Sequence, residues 1–194
     1  SSIPENITME GVIDSKTNSG KLIIDAPLFE YNDIKFNQIH FEADTKNPDH
    51  KSLLSIKNIS SKYYELNNFK LTSKKIFDSL YFKSDFETNE DNYSYQINIY
   101  HTQDKYKNSH FAIKKSTIPL GKYNWIINPK NLNNQTLSYY PKNNKIELSV
   151  LKAYSDNQFI SFLGSFAGFN NYNLEFNLQN TLLQNIIPPL QSFE

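Results

Sequence analysis

Alternation of apolar and polar residues is the strongest pattern in this chain. Two stretches, NYSYQINIYH (residues 92–101) and NYNLEFNLQN (residues 171–180), alternate between the two types almost without exception. Because successive side chains of a β-strand point to opposite faces of the sheet, each stretch predicts a strand with one apolar and one polar face. Strands of this kind are typical of antiparallel sheets that have one solvated face.

The same test predicts strands along most of the chain, separated by short segments rich in Asn, Asp, Lys and Pro. They lie at residues 8–14, 21–25, 34–44, 53–58, 63–72, 77–88, 111–116, 123–127, 137–140, 145–154 and 159–164. Helical spacing is weaker and is best in residues 72–82 and in the tail, residues 180–193, where Pro188 and Pro189 interrupt it. We therefore predict an all-β protein.

Two of the predicted strands change the phase of their alternation. In the first, Ile34 and Phe36 have one parity and Ile39 has the other; the second passes from Leu66 to Phe69 in the same way. A shift of one residue turns side chains to the opposite face, so keeping the apolar residues together requires a bulge or a tight bend. We predict these irregularities at residues 37–38 and 67–68.

Charge and composition exclude several functions. Lysine and acidic residues balance at 20 each, and there is no arginine, so the basic surface that binds nucleic acid is not expected. Cysteine is absent, which removes thiolate chemistry and cysteine-based zinc sites. The sequence contains no run of about 18 apolar residues and therefore predicts no membrane-spanning helix. From its first residues, SSIPENITMEG, we interpret residues 1–194 as a single β-rich segment of a larger protein.

The pattern of reactive residues gives no support for catalysis. The four histidines, His40, His50, His101 and His110, lack metal-ligand spacing, and no Gly-x-Ser-x-Gly elbow or phosphate-binding glycine loop occurs. His101 and His110 flank one predicted hairpin loop, and the sequence leaves a Ser-His-Asp arrangement open. We expect no enzymatic activity, no metal and no cofactor.

Aromatic residues are abundant, with 14 Phe, 13 Tyr and one Trp spread over nearly every predicted strand. They fit a closed sandwich, in which two apolar faces pack together, and equally an open trough, in which one apolar face stays accessible. Uncovered apolar surface marks a protein partner, a lipid or a risk of aggregation. Periodicity alone is compatible with both arrangements.

The region from residue 116 to residue 189 has an ordered series of features: an apolar residue, a Gly turn, a Trp strand with an Asn-Pro exit, an Asp-x-Gln turn, a Gly position, and a Tyr/Leu/Phe strand followed by Ile-Pro. These features are Ile118, Gly121, Trp125, Asn128, Pro129, Ile146, Leu148, Asp156, Gln158, Gly164, Tyr172, Leu174, Phe176, Leu178, Ile187 and Pro188. In this order and spacing the region resembles a recurring block of the TamB proteins, members of the AsmA-like superfamily and the periplasmic part of the translocation and assembly module.

The resemblance implies a fold and a function. The fold would be an elongated, curved antiparallel sheet folded into a β-taco, a groove with an apolar interior. Such a segment would lie in the periplasm of a Gram-negative envelope and carry phospholipid acyl chains between the inner and outer membranes, in support of outer-membrane assembly. Parts of the full-length protein outside this sequence would anchor it to the inner membrane and contact an outer-membrane barrel protein of the Omp85 type.

Residues on the apolar parity of the strands are the predicted lining of this groove. They are Phe82, Phe86, Tyr93, Tyr95, Ile97, Ile99, Phe111, Ile113, Tyr123, Trp125, Ile127, Ile146, Leu148, Val150, Leu174, Phe176 and Leu178. The alternative hypothesis is a closed β-sandwich that binds a protein or glycan partner through loops rich in Tyr and Asn.

Overall fold

Fourteen β-strands and one short 3₁₀ helix form the regular structure of the residues that the structure describes. The computed structural model describes residues 6–46, 51–62, 64–88, 94–120, 123–168 and 170–181. The strands of these residues belong to one antiparallel sheet, which confirms the all-β prediction. The chain divides into two compact units, Ser1–Gln96 and Ile97–Glu194, and β7 continues from the first into the second.

Unit 1, residues 1–96, is a meander in which each strand pairs with the next along the chain. Its strands are β1 (Thr8–Asp14), β2 (Ser19–Tyr31), β3 (Ile34–Asp44), β4 (Lys51–Ser60), β5 (Glu65–Ile76) and β6 (Ser79–Thr88), followed by the start of β7 (Ser94–Gln103). Short antiparallel connections of this kind follow from the polar turn segments between the alternating stretches.

Both predicted phase shifts are confirmed by the backbone. Gln38 and Asn68 have left-handed φ values of 52°. At Gln38 the pairing keeps its register on both sides, so the irregularity is a bend, whereas β5 has a true bulge against β6 between Asn67 and Lys70. Pairing skips one residue in each of four neighbouring strands: Pro27, Gln38, Lys57 and Asn68. A proline fits here because it has no N–H to donate.

Residues 72–82, where helical spacing in the sequence is best, are not helical. This segment is the β5–β6 hairpin, in which Ile76 pairs with Ser79 and only two residues, Phe77 and Asp78, form the turn. Phe77 has a φ of 52°. Equivalent first positions of the two-residue turns after Tyr31 and Ser155 hold Asn32 and Asp156, residue types that tolerate this left-handed conformation better. The other helix candidate, residues 180–193, lies almost entirely outside the described residues.

Unit 2, residues 97–194, has a less sequential order of strands. After β7 come β8 (Ser109–Ile113), β9 (Ser116–Leu120), β10 (Tyr123–Ile127), β11 (Thr136–Tyr140), a 3₁₀ helix (Pro141–Asn143), β12 (Lys145–Ser155), β13 (Gln158–Phe166) and β14 (Tyr172–Gln179). On one side β12 pairs with β11 and, further along, with β10; on the other side it pairs with β13, which in turn pairs with β14.

Buried polar side chains close the gap where β11 and β10 succeed each other along β12. Asn128 has no exposed surface, and its Nδ2 donates hydrogen bonds to the carbonyls of Ile113 and Leu132 at 2.7 Å. Its Oδ1 accepts from the Leu132 N–H at 2.8 Å, and Gln135 Oε1 accepts from the Lys152 N–H at 2.8 Å. These side chains replace backbone pairing that the interrupted strands lack, since buried backbone groups need partners.

Candidate ligand-binding surface

The sheet of unit 1 separates apolar from polar side chains by face. Residues that pair directly across antiparallel strands share a face, so rows of paired residues show its composition. The apolar rows are Leu22 with Ala43; Ile24, Phe41, Leu54 and Leu71; Ala26, Ile39, Ile56 and Phe69; and Phe29, Phe36, Ile59 and Leu66. We call this set the unit 1 apolar face.

The phase shifts keep this face continuous. Ile56 and Ile59 are both buried although they are three residues apart, a spacing that regular alternation assigns to opposite faces. The line of unpaired residues crosses β4 between them, at Lys57. Gln38 and Asn68, on the two strands beside β4, each have a left-handed backbone. This irregularity brings the apolar residues on both sides of the line onto the same face.

Most side chains of the unit 1 apolar face are partly exposed. Only Ala26, Ile56 and Ile59 are buried, and Phe29 keeps 36% of its surface exposed. A face covered by a second layer would bury most of its large side chains, as protein cores do. In the part of the chain that the structure describes, this face is therefore left partly open.

Aromatic contacts extend the face toward β7. The ring of Phe86 lies 6.2 Å from the ring of Phe69 and stacks on the ring of Tyr95, with centroids 4.7 Å apart and an interplanar angle of 7°. Phe82 pairs with Ser73, whose partner Ser52 belongs to the row of Ala43. Three predicted groove residues, Phe82, Phe86 and Tyr95, thus lie on the apolar face of unit 1.

The opposite face of unit 1 is mainly polar, although Ile23, Leu28 and Leu53 lie in its rows. An ion pair joins Lys21 and Glu42 at 2.9 Å, and a hydrogen bond joins the His40 Nδ1 and Asp25 Oδ1 atoms at 2.7 Å. An amide ladder joins Asn37 to Asn58 at 3.1 Å and Asn58 to Asn67 at 3.0 Å. Exposed pairs of this type contribute little stability, but they keep this face hydrated.

Unit 2 also collects apolar residues in rows. One row holds Leu174, Gly164, Leu148, Leu137 and Phe111; others hold Tyr172, Phe166, Ile146 and Tyr139, or Phe176, Phe162 and Leu151. Among the predicted groove residues in these rows, Leu174 and Phe176 are more than half exposed, at 56% and 54%. Ile99 pairs with Ile113, and Leu178 pairs with Ile160.

Two of the remaining predicted groove residues are buried, and a third lies at a register shift. Trp125 is 1% exposed and Ile127 is 8% exposed, so both are core residues of unit 2. Val150 lies where β12 shifts register against β13, between Leu148 and Leu151, and Leu151 takes the place opposite Phe162 that alternation assigned to Val150. Ile97 and Tyr123 are partly exposed, and Tyr93 lies outside the described residues.

Two buried polar side-chain atoms of unit 2 have no hydrogen-bond partner among the described residues. They are Nε1 of Trp125 and Oε1 of Gln158. A buried donor or acceptor without a partner is a local cost to stability.

The residues in the central rows of the unit 1 apolar face were not among the groove residues predicted from the sequence. No groove candidate precedes Phe82, yet the central rows of the unit 1 apolar face come from β2 to β5. The signal was the alternation itself, which Leu22, Ile24, Phe41 and Leu54 follow. The phase shifts obscured which of these residues share a face until the pairing was known.

A hydrogen-bonded chain of three residues on the polar face of unit 2 has the composition of a hydrolase triad. His110 Nδ1 lies 2.8 Å from Ser138 Oγ, and its Nε2 lies 3.4 Å from Asp104 Oδ2. Ser138 is 7% exposed and lies within β11, paired with His110 on one side and Glu147 on the other. Acyl transfer needs free N–H donors aimed at the oxyanion, and strand pairing engages the backbone around Ser138. We therefore interpret this hydrogen-bonded set of three side chains as structural.

Next to this chain lies a shallow depression of about 400 Å³, lined by hydroxyl, amide and carboxylate groups that include Ser138, Tyr140, Glu147, Ser165 and Asn173. Hydrogen bonds from the side chains of Lys145 and Tyr140 lower the pKa of Glu147 below its ordinary value. The depression thus combines an ionised carboxylate, which pairs with Lys145, with neutral polar groups and the side chains of Leu148 and Leu163.

The chain matches no protein-family model, no curated protein and no solved structure. Within the described ranges no helix is long and apolar enough to cross a bilayer. The same residues contain no group of three or more His, Asp or Glu side chains arranged to hold a metal ion.

Proposed function

We propose that this chain is a segment of a periplasmic lipid bridge and that its apolar face carries phospholipid acyl chains between the inner and outer membranes. The observation that carries the proposal is the partial exposure of the unit 1 apolar face, three of whose four rows run across β2 to β5. The resemblance of residues 116–189 to the TamB proteins supports it.

The physical reason is the cost of moving a lipid tail through water. Moving one methylene group from water onto an apolar surface lowers the free energy by about 0.8 kcal/mol. An uninterrupted apolar face therefore lowers the barrier to lipid movement along the whole path. Rows of partly exposed Leu, Ile and Phe side chains provide such contacts without fixing the tail at one position. The polar rows on the other face keep the sheet hydrated.

Acyl binding is tested with a matched pair of substitutions in β4. Leu54 lies in the middle of an apolar row, and its neighbour Ser55 lies in the polar row with His40 and Lys70. We expect Leu54→Asp to weaken binding of a fluorescent fatty-acid probe by roughly tenfold or more, because a carboxylate then faces the acyl chain. Ser55→Asp places the same charge on the other face and serves as the control.

Native mass spectrometry of the wild-type protein supplies the direct measurement. The expected result is a population of protein with bound phospholipid, which decreases in Leu54→Asp and persists in Ser55→Asp. Circular dichroism shows whether both variants keep the β-sheet. The proposal fails if delipidated wild-type protein neither takes up phospholipid nor binds the acyl probe.

The cellular parts of the proposal rest on the resemblance. They are the periplasmic location, anchoring to the inner membrane, and contact with an outer-membrane barrel protein of the Omp85 type through regions outside this sequence. Fractionation of the host cells, with an antibody against this chain, tests the location. Recovery in the cytoplasmic fraction would contradict it.

The depression on the polar face of unit 2 favours a second candidate, a glycan-binding module. Hydroxyl and amide groups beside the ring of Tyr140 offer hydrogen bonds and a stacking surface for a sugar. Glycan-array binding that Asn173→Ala abolishes, together with no uptake of phospholipid, would favour this candidate over acyl-chain binding.

A further inference from the structure

The tip of the β5–β6 hairpin exposes an aromatic ring on a strained backbone. Phe77 is 91% exposed and adopts a left-handed φ of 52°. A bulky residue in this conformation is unusual, and two-residue turns elsewhere in the chain place Asn32 and Asp156 at this position. Phe77 therefore makes the turn less stable while placing its ring in solvent, a combination that often marks a functional site.

Two lysines precede this ring in the strand that leads to the turn. Pairing of β5 with β6 includes Lys74, Lys75 and Ile76, directly before Phe77. Lys74 and Lys75 are exposed, and Leu80 on the returning strand is 38% exposed. With Asp78 in the turn, the tip has two positive charges and one negative charge, a net of +1.

We propose that this tip docks on the surface of a bilayer that contains anionic phospholipid. Phe77 inserts at the level of the headgroups and upper acyl chains, and the ammonium groups of Lys74 and Lys75 lie near lipid phosphates. Aromatic rings and lysines favour this interface because the ring is apolar and the ammonium groups stay hydrated beside negative charge. This contact does not depend on binding of single acyl chains by the unit 1 apolar face.

The geometry fits a bilayer better than a protein partner. A stable protein interface buries about 800 Å² on each side around a central cluster of anchors, which a two-residue turn does not offer. A bilayer, in contrast, accepts a single ring and two flexible lysines without a shaped pocket. The occupant is therefore a lipid surface, and binding of a protein partner would be a contrary outcome.

The first experiment measures binding to vesicles by co-sedimentation. We compare Phe77→Asn with Tyr31→Asn, which removes another exposed aromatic residue at the opposite end of the unit 1 strands. On vesicles of phosphatidylcholine and phosphatidylglycerol, Phe77→Asn is expected to lower the partition coefficient by roughly tenfold or more. Tyr31→Asn is expected to bind like the wild type.

A second readout locates the ring. Phe77→Trp is expected to show blue-shifted emission and quenching by brominated lipid on these vesicles, measured against the constant signal of the buried Trp125 in the wild-type protein. Lys74→Gln with Lys75→Gln is expected to weaken binding to anionic vesicles more than to neutral ones. Fold is checked by circular dichroism, and an unchanged affinity of Phe77→Asn for the fatty-acid probe separates this contact from acyl binding.

Three results would overturn the proposal. The wild-type protein could fail to bind either kind of vesicle, or Phe77→Asn could bind them as strongly as the wild type. The lysine variant could also abolish binding while Phe77→Trp shows no blue shift, which would mean that the contact is electrostatic and that the ring does not insert.

Discussion

Gly164 on β13 lies against the backbone carbonyl of Asn173 on β14. A Cβ atom built on Gly164 would lie 2.2 Å from that oxygen and 2.9 Å from the Cα of Leu174. The glycine also has a φ of 153°. Only a residue without a side chain allows this approach of the two strands.

We therefore expect Gly164→Ala to destabilise the protein by about 3 kcal/mol or more, because backbone atoms must move apart to admit the methyl group. Urea unfolding followed by circular dichroism measures the loss. Gly11→Ala is the matched control, since its Cβ would meet the nearest atom at an ordinary 3.6 Å. Equal stability of the two variants would contradict this account of the β13–β14 contact.

Replacing Phe77 by asparagine should make the protein more stable. Its left-handed backbone costs about 1 kcal/mol for a residue with a bulky side chain, and asparagine adopts this conformation at lower cost. Phe77→Asn is expected to raise the free energy of unfolding by about 1 kcal/mol. Phe77→Val, which is branched at Cβ, is expected to lower it. An asparagine variant less stable than the wild type would show that the ring contributes to folding.

Asn128 should be far less tolerant of substitution than Asn131. Both residues have left-handed φ values, 49° and 55°, so replacement by alanine has a similar backbone cost at each. Asn128→Ala additionally leaves the carbonyls of Ile113 and Leu132 without their side-chain donor. We expect it to cost about 3 kcal/mol more than Asn131→Ala in urea unfolding. A similar loss in both variants would argue against a structural role for the buried amide.

Asp104 should contribute stability that acid removes. Partial burial raises the pKa of its carboxyl group, but hydrogen bonds from Asn108, from the Tyr106 N–H and from His110 outweigh this and lower the pKa to about 2. Since this value lies below the ordinary 3.8, the contribution is complete above about pH 4 and is lost as the pH falls through about 2.

Thermal unfolding between pH 4 and pH 2 tests this assignment. The melting temperature of Asp104→Asn is expected to fall less steeply with decreasing pH than that of the wild type, because the variant has no carboxylate to protonate at this position. Asn108→Ala, which removes one donor, is expected to give an intermediate slope. Parallel curves for all three proteins would contradict the depressed pKa.

Local pattern predicted the strands, their two faces and the irregular positions. Alternation in β7 and β14 specifies an apolar side because neighbouring side chains of an extended chain point in opposite directions. The phase shift between Phe36 and Ile39 likewise required a backbone irregularity, which occurs at Gln38. Where the pattern was ambiguous, in residues 72–82, pairing with neighbouring strands produced a hairpin in place of a helix.

Tertiary structure alone decided which strands meet and which side chains are covered. Two strands, β10 and β11, follow each other along the same side of β12, and nothing in the local sequence announces that order. This order of strands buries Asn128. The adjacent strands also bury Trp125, which alternation placed in an open groove. The register shift in β12 set Leu151, not Val150, opposite Phe162. The sequence by itself determined the two-faced strands, because side-chain direction depends only on the local backbone. Burial and register depend on residues distant in the chain, which come together only when the strands pair.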